Sequence, residues 1–261
     1  GLKVVEKDLS LCANDFENGS ENIAKKLVPT LKKYISFCNG SWYVIEPNNI
    51  WSIVKKPYPY IATHINKAID KGLNALNKKL QETTTQEEAI RKKINNHAGL
   101  YNKVDVSTLK TGIVENLTKL LKDNNFYRLL DNNKNTIAFK NGLYNIETNK
   151  FTEGIKPEDY ITKTLQYDYD DTRNETHEKW LKKEFLKICN NNEEHMKYMF
   201  SIIGYALSGD SSKYKHIYSF IGQSASNGKT TILTALTDAF PEYVAKGNSD
   251  MIDSKCANKH H

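Results

Sequence analysis

Hydrophobic positions recur at helical spacing through much of the first half of the chain. Ile23, Leu27, Leu31 and Ile35 fall every four residues, with Pro29 inside the run, which predicts a helix that kinks at the proline or starts near it. The stretch "SWYVIEPNNIWSIV" reads differently: two short aromatic and β-branched runs flank Pro47-Asn48-Asn49, the signature of a β-hairpin. Ile61, Ile65, Ile69, Leu73, Leu76 and Leu80 then step by four and three, the clearest amphipathic helix in the chain. The polar "ETTTQEEAIRKKINNHAG" after it reads as a helix-pair connection or an exposed helical arm. A further helix is predicted through Leu109, Ile113, Leu117 and Leu121, with Gly112 as its weak point.

From Thr136 the period shortens. "NTIAFKNGLYNIETNKFTEG" alternates between two turn signals, Asn141-Gly142 and Glu147-Thr148-Asn149, and predicts a small antiparallel β unit that "YITKTLQYDYD" continues in strand-like fashion. An acidic stretch serves as a boundary. Two helices follow, their apolar positions being Trp180, Leu181, Phe185 and Ile188, then Met196, Met199, Phe200, Ile203 and Leu207. These read as packed core and not as a cofactor box.

Composition narrows the class. A chain of 261 residues with 39% hydrophobic and 26% charged residues is an ordinary globular sequence of one or two domains. It contains no apolar run of membrane-spanning length, and its first residues lack a signal-peptide core, so a cytoplasmic, unsecreted protein with no membrane partner is expected. Cys12, Cys38, Cys189 and Cys256 form no C-x-x-C pair, which argues for reduced, mostly buried thiols over a disulfide or zinc framework. The formal net charge of +6 suits a nucleic-acid partner, although lysines on helix faces are usually just solvated.

The chemistry concentrates in "HIYSFIGQSASNGKTT", residues 216–231. An apolar run, a loop of small residues and a helix-forming segment with Ile232, Leu233 and Leu236 apolar make the strand–loop–helix setting of a phosphate loop. Small residues let the backbone approach a polyphosphate, and a helix start adds N–H groups and a positive dipole end. Gly222, Ser224, Ala225, Ser226, Asn227, Gly228, Lys229, Thr230 and Thr231 are the candidate nucleotide-binding residues. Lys229 would hold the β- and γ-phosphates of ATP or another NTP as the catalytic cation, and the Thr230 hydroxyl would ligate Mg²⁺, with Thr231 in the helix's first turn. Five residues separate Gly222 from Gly228 where the usual pattern has four, so the loop bulges or Gly222 ends the strand.

On "SNGKTT" and the preceding "IIGYALSGDSSKYKHIYSFIG" the sequence resembles the superfamily 3 helicases of poxvirus, large DNA virus and phage primase-helicases. "SWYVIEPNNIW" and "NTIAFKNGLYNIETNKF" are similar to segments of the helical linker domain that precedes those motors. The resemblance implies an α+β chain. Residues 1–170 would form a mainly helical linker domain with small antiparallel β-hairpins, and residues 171–261 the truncated start (strand, P-loop, helix) of an α/β AAA+ motor. It further implies ATP-dependent DNA unwinding in replication, hexameric rings around single-stranded or forked DNA, contacts with replication proteins, and residence in an infected host cell.

The rest of such a motor has no counterpart here. Residues 241–261 contain no apolar strand ending in paired carboxylates, Asp250 and Asp253 read as solvated, and no arginine follows Arg173, so this chain alone is expected to be inactive. Two alternatives stand beside the helicase: a P-loop kinase or other NTPase, and a non-catalytic DNA- or partner-binding module. Lys55 and Lys56 beside Tyr58 and Tyr60, and Lys163 between Tyr160 and Tyr167, are the candidate DNA contacts.

Overall fold

The computed structural model describes residues 10–82, 86–209, 216–221 and 228–247. The chain forms two compact units, residues 1–132 with 156–162 and residues 133–155 with 163–261. In this grouping the second β unit goes with the C-terminal helices.

The N-terminal unit begins with α1 (Ala13–Glu17) and α2 (Gly19–Leu31). Pro29 lies in the last turn of α2, which ends two residues later at Leu31. Ile35 therefore does not continue the helix. It opens β1 (Ile35–Cys38), which pairs antiparallel with β2 (Ser41–Ile45), and β2 pairs with β3 (Trp51–Val54) in the order β1-β2-β3. Asn39 and Gly40 supply the left-handed φ values, 49° and 78°, that close the first hairpin. Register places Phe37 opposite Trp42 and Tyr43 opposite Ile53.

Four helices follow: α3 (Tyr58–Glu82), α4 (Glu87–Ala98), α5 (Leu100–Val104) and α6 (Ser107–Leu120). Ile23, Leu27 and Leu31 of α2, Ile61, Ile65 and Ile69 of α3, and Ile113 and Leu117 of α6 are fully buried in one core with Val44 of β2. Each such side chain contributes about 1.5–3 kcal/mol of burial. The distal positions of the α3 stripe, Leu73, Leu76 and Leu80, are only half-buried. α4 packs on α3 through His97, whose Nε2 lies 2.9 Å from the Ile69 carbonyl oxygen. Asp15 ties α1 to α2: its buried carboxylate accepts from the Cys12 N–H at 2.8 Å and the Asn22 amide at 3.0 Å, and pairs with the Lys26 ammonium at 2.6 Å. Burial pushes that carboxyl up, and the Lys26 cation and the donors outweigh it to hold the group below its ordinary value.

In the C-terminal unit, β4 (Thr136–Phe139), β5 (Gly142–Asn145) and β6 (Lys150–Glu153) form the antiparallel sheet expected from the alternation. "YITKTLQYDYD" is not a strand of it. Only one parallel bridge, Phe139 with Leu165, forms, because each side chain of the segment finds a different neighbour: Leu165 is buried under the sheet and the Tyr167 hydroxyl bonds the Ala239 carbonyl. α7 (Glu175–Ile188), α8 (Glu193–Leu207) and α9 (Lys229–Ala239) complete the unit. Asn174 and Asn192 cap α7 and α8, accepting from the His177 N–H at 3.1 Å and the His195 N–H at 2.9 Å. Phe185, Cys189, Met199 and Ile232 form the core that joins the three helices.

Both units are mixed helix and small antiparallel sheet, an α+β chain. Among the described cysteines, Cys38 and Cys189 are buried, Cys12 is exposed, and all three are free. No described helix is long and apolar enough to cross a membrane.

Candidate functional site

The described part of the phosphate-loop candidate is the start of α9. Gly228 is its N-cap residue with φ 79° and ψ 0°, a left-handed conformation that L side chains adopt at a cost of roughly 1–2 kcal/mol. The space is closed as well: a Cβ on Gly228 would lie 2.6 Å from Cγ1 of Ile188, at the end of α7. Only glycine lets this backbone turn into the helix against that side chain. The Ile232 N–H bonds the Gly228 carbonyl at 3.0 Å and opens the helical ladder. Among the described residues no side chain caps this end and no acidic residue occupies the first turn, a setting that favours an anion at the positive end of the dipole.

Ile232 and Leu236 anchor α9 in the core it shares with α7 and α8, and so fix where the helix start points. Lys229, half-buried, lines a cavity of about 280 Å³ with Ile188, Cys189, His195, Tyr198 and Phe220. Burial raises the Cys189 thiol, which keeps it protonated and unreactive. Thr230 and Thr231 are exposed on the first turn. Gly222, Ser224, Ala225, Ser226 and Asn227 lie outside the described residues, as do Asp250 and Asp253.

The apolar run before the loop differs from expectation. Residues 216–221 form no strand, and Ile217 and Ile221 are 94% and 92% exposed. A buried strand needs hydrogen-bonded neighbours on its edges, and among the described residues no strand lies beside this one. Among the described residues, Ile217 and Ile221 consequently have no sheet to be buried against, while Tyr218 and Phe220 are more covered.

No cluster of metal-ligating side chains occurs among the described residues. For a magnesium nucleotide the described donors that fit are therefore the α9 amides, Lys229 and the Thr230 hydroxyl. At the other end of α7, Glu178 accepts from Arg173 at 2.7 Å and Lys182 at 2.6 Å, which hold its pKa down to about 2. A carboxylate so stabilised in its charged form is a poor proton acceptor.

Of the candidate DNA contacts, Lys55 and Lys56 belong to the N-terminal unit and Lys163 to the C-terminal one. Lys55, Lys56 and Lys163 are all exposed. The aromatic rings near the first two serve internal bonds: the Tyr58 hydroxyl donates to the Val104 carbonyl and the Tyr60 hydroxyl to Glu46 at 3.0 Å. Tyr160 stacks on Trp51 at 6.2 Å, and Tyr167 meets Phe139 edge-on at 5.7 Å. The structure also gathers a set that lysine doublets alone do not single out. Lys32, Lys33 and Lys122 line one cavity of about 430 Å³ with Trp51, Phe126 and Tyr160 in the N-terminal unit.

Comparison with known proteins gives these features a family. The family model described as D5 N terminal like matches residues 24–186. Three viral proteins provisionally named helicases are similar. One from Acanthamoeba polyphaga mimivirus is 27% identical over 233 residues, 87% of this chain and 24% of that protein. One from Invertebrate iridescent virus 6 is 29% identical over 169 residues, 62% of this chain and 17% of that protein. One from Invertebrate iridescent virus 3 is 39% identical over 71 residues, 27% of this chain and 7% of that protein. The chain thus spans less than a quarter of the length of the relatives it matches. Because the family match takes in α2 through most of α7, including both small sheets, the chain belongs to the D5 N terminal like family, the family of viral primase-helicases of the superfamily 3 type.

Proposed function

We propose that this chain is part of an ATP-dependent viral DNA helicase, and that the start of α9 is its nucleotide grip. The observation that carries the reading is Gly228: a left-handed glycine wedged against Ile188 turns the chain into a helix whose first residue is Lys229. In this reading the start of α9 faces the phosphates, Lys229 neutralises the β- and γ-phosphates, and Thr230 holds Mg²⁺. A bound magnesium ion would supply charge neutralisation at the phosphates. The chain's own residues supply orientation and shield the phosphates from water. Hydrolysis coupled to unwinding, assembly as a ring around DNA and contacts with replication proteins complete the proposal, supported by the helicase names of its longer relatives.

The test is nucleotide binding by the chain itself. A fluorescent ATP analogue with Mg²⁺ should bind the native protein, and Lys229→Ala should weaken that binding by at least about tenfold, the factor that corresponds to roughly 1.4 kcal/mol. Equal binding by both proteins, with unchanged circular dichroism, would remove the grip from α9. Thr230→Ala should instead lower affinity only when Mg²⁺ is present.

A further inference from the structure

The cavity of about 430 Å³ in the N-terminal unit lies where two helices end. Lys32 is the C-cap residue of α2 and Lys33 follows it, while Lys122 comes just after α6. The three cations thus arrive from two separate elements and converge on one opening, unlike a stripe of lysines along a single solvated face. Among the described residues none of the three makes an ion pair. The lysines of α7 behave differently: Lys179, Lys182 and Lys187 each hold a carboxylate three or four residues away.

The wall of the cavity is aromatic and locked. The Trp51 indole N–H donates to the Pro157 carbonyl at 3.0 Å, its ring stacks on Tyr160 at an interplanar angle of 12°, and Phe126 meets it edge-on at 4.8 Å. Leu120 and Leu129 stand on the rim, 43% and 42% exposed. Asp123 and Glu158 also line the opening. The Asp123 carboxylate accepts from the Asn125 N–H at 2.9 Å, within its own turn. A lysine near each helix end offsets the negative end of the dipole. That role needs neither the second lysine at the end of α2 nor an apolar rim and aromatic wall beside it.

We infer that this cavity is a single-strand nucleic-acid site, with phosphates held by Lys32, Lys33 and Lys122 and bases laid against the Tyr160 and Leu129 side. Phosphate neutralisation beside an aromatic and apolar wall is the physical basis of sequence-tolerant single-strand binding. A cavity of this size takes about a nucleotide or two and not a double helix. The choice of a polynucleotide over an acidic protein rests on the helicase reading proposed above; the cavity and its charges do not.

The experiment follows binding of a fluorescein-labelled oligothymidylate to the 261-residue chain by anisotropy, across about 50 to 200 mM salt. Each phosphate contact on a single strand contributes about 0.7 to the slope of log affinity against log salt. The combined Lys32→Gln, Lys33→Gln and Lys122→Gln protein should therefore lose about 2 from that slope, and arginine at the same positions should restore it. Neutralising Lys179, Lys182 and Lys187 on α7 should leave it unchanged. Equal losses in the two triple variants, or no loss in the first, would overturn the site. Displacement of the oligonucleotide by polyglutamate at matching charge concentration would overturn it in favour of an acidic protein partner. Should the glutamine variant fail to fold, Leu129→Glu on the exposed rim provides the second reading: affinity should fall by about tenfold or more, and unchanged affinity refutes the proposal. Lys229→Ala should lose nucleotide while keeping the native salt slope, so failure of the nucleotide grip and failure of this site give different results.

Discussion

Tyr58 shows how much a single buried hydroxyl does in the N-terminal unit. It is the first residue of α3, its hydroxyl donates to the Val104 carbonyl at the end of α5, and the Lys110 ammonium sits 5.3 Å from its ring centroid. Burial, and then the negative charge of Asp105, push its pKa up to about 12. The folded state therefore favours the neutral phenol beyond the unfolded value of about 10. Stability from this group is complete below pH of about 10 and is lost as pH rises toward about 12, because the unfolded chain releases the proton first. Tyr58→Phe should cost about 1 kcal/mol at neutral pH for the lost hydrogen bond, yet flatten the alkaline decline measured by urea unfolding across that window. The decline should shrink without vanishing, since bonds to Glu46 and Asp70 also raise Tyr60 and Tyr101. A native-like decline in the phenylalanine variant would mean that Tyr58 does not titrate with folding.

At the scale of elements, the crossing of α2 and α6 depends on a glycine that looks like a helix defect in the sequence. A Cβ on Gly112 would lie 2.5 Å from Oγ and 2.9 Å from Cβ of Ser20, while Asn116 donates to the Gly112 carbonyl at 2.7 Å. Alanine favours an isolated helix by up to about 1 kcal/mol over glycine. Here the clash reverses the sign, and Gly112→Ala should destabilise by about 1–3 kcal/mol. Ser20→Gly removes both contacting atoms, so in the double variant most of that loss should return, with a coupling of about 1 kcal/mol or more by chemical denaturation. Periodicity made the helices legible because Ile23, Leu27, Ile61, Ile65, Ile113 and Leu117 repeat at the helical step that burial demands. It misplaced Ile35 because a buried residue four positions after Leu31 satisfies the same rule from β1, and the better signal was the Asn39-Gly40 turn that pairs β1 with β2. The run at residues 216–221 had the composition of a strand but has no strand neighbours among the described residues, and no local pattern can supply them. Of the site, Gly228 and Lys229 were legible as a motif, whereas the meeting of Lys32 and Lys33 with Lys122 depends on where two helices end.

On the scale of the whole molecule, the described apolar burial is divided unequally. Among the described residues the N-terminal unit holds one large core drawing on α2, α3, α6 and the first sheet, whereas α7, α8 and α9 close around Phe185, Cys189, Met199 and Ile232 as fully packed members. The smaller core should open at lower free energy, so amide hydrogen exchange should be faster in α7–α9 than in α2 and the first half of α3. The nucleotide grip would then stand on the less stable part, and ligand binding to its folded form would raise protection there by mass action. Phe185, stacked on Phe200 at 4.8 Å, tests the division. Phe185→Ala should remove about 3–5 kcal/mol from the C-terminal core, abolish protection in α7–α9 and shift any folding-linked nucleotide affinity, while α2 and α6 keep native exchange rates. If protection fell equally in both units, the chain would unfold as one cooperative block and the division would be refuted.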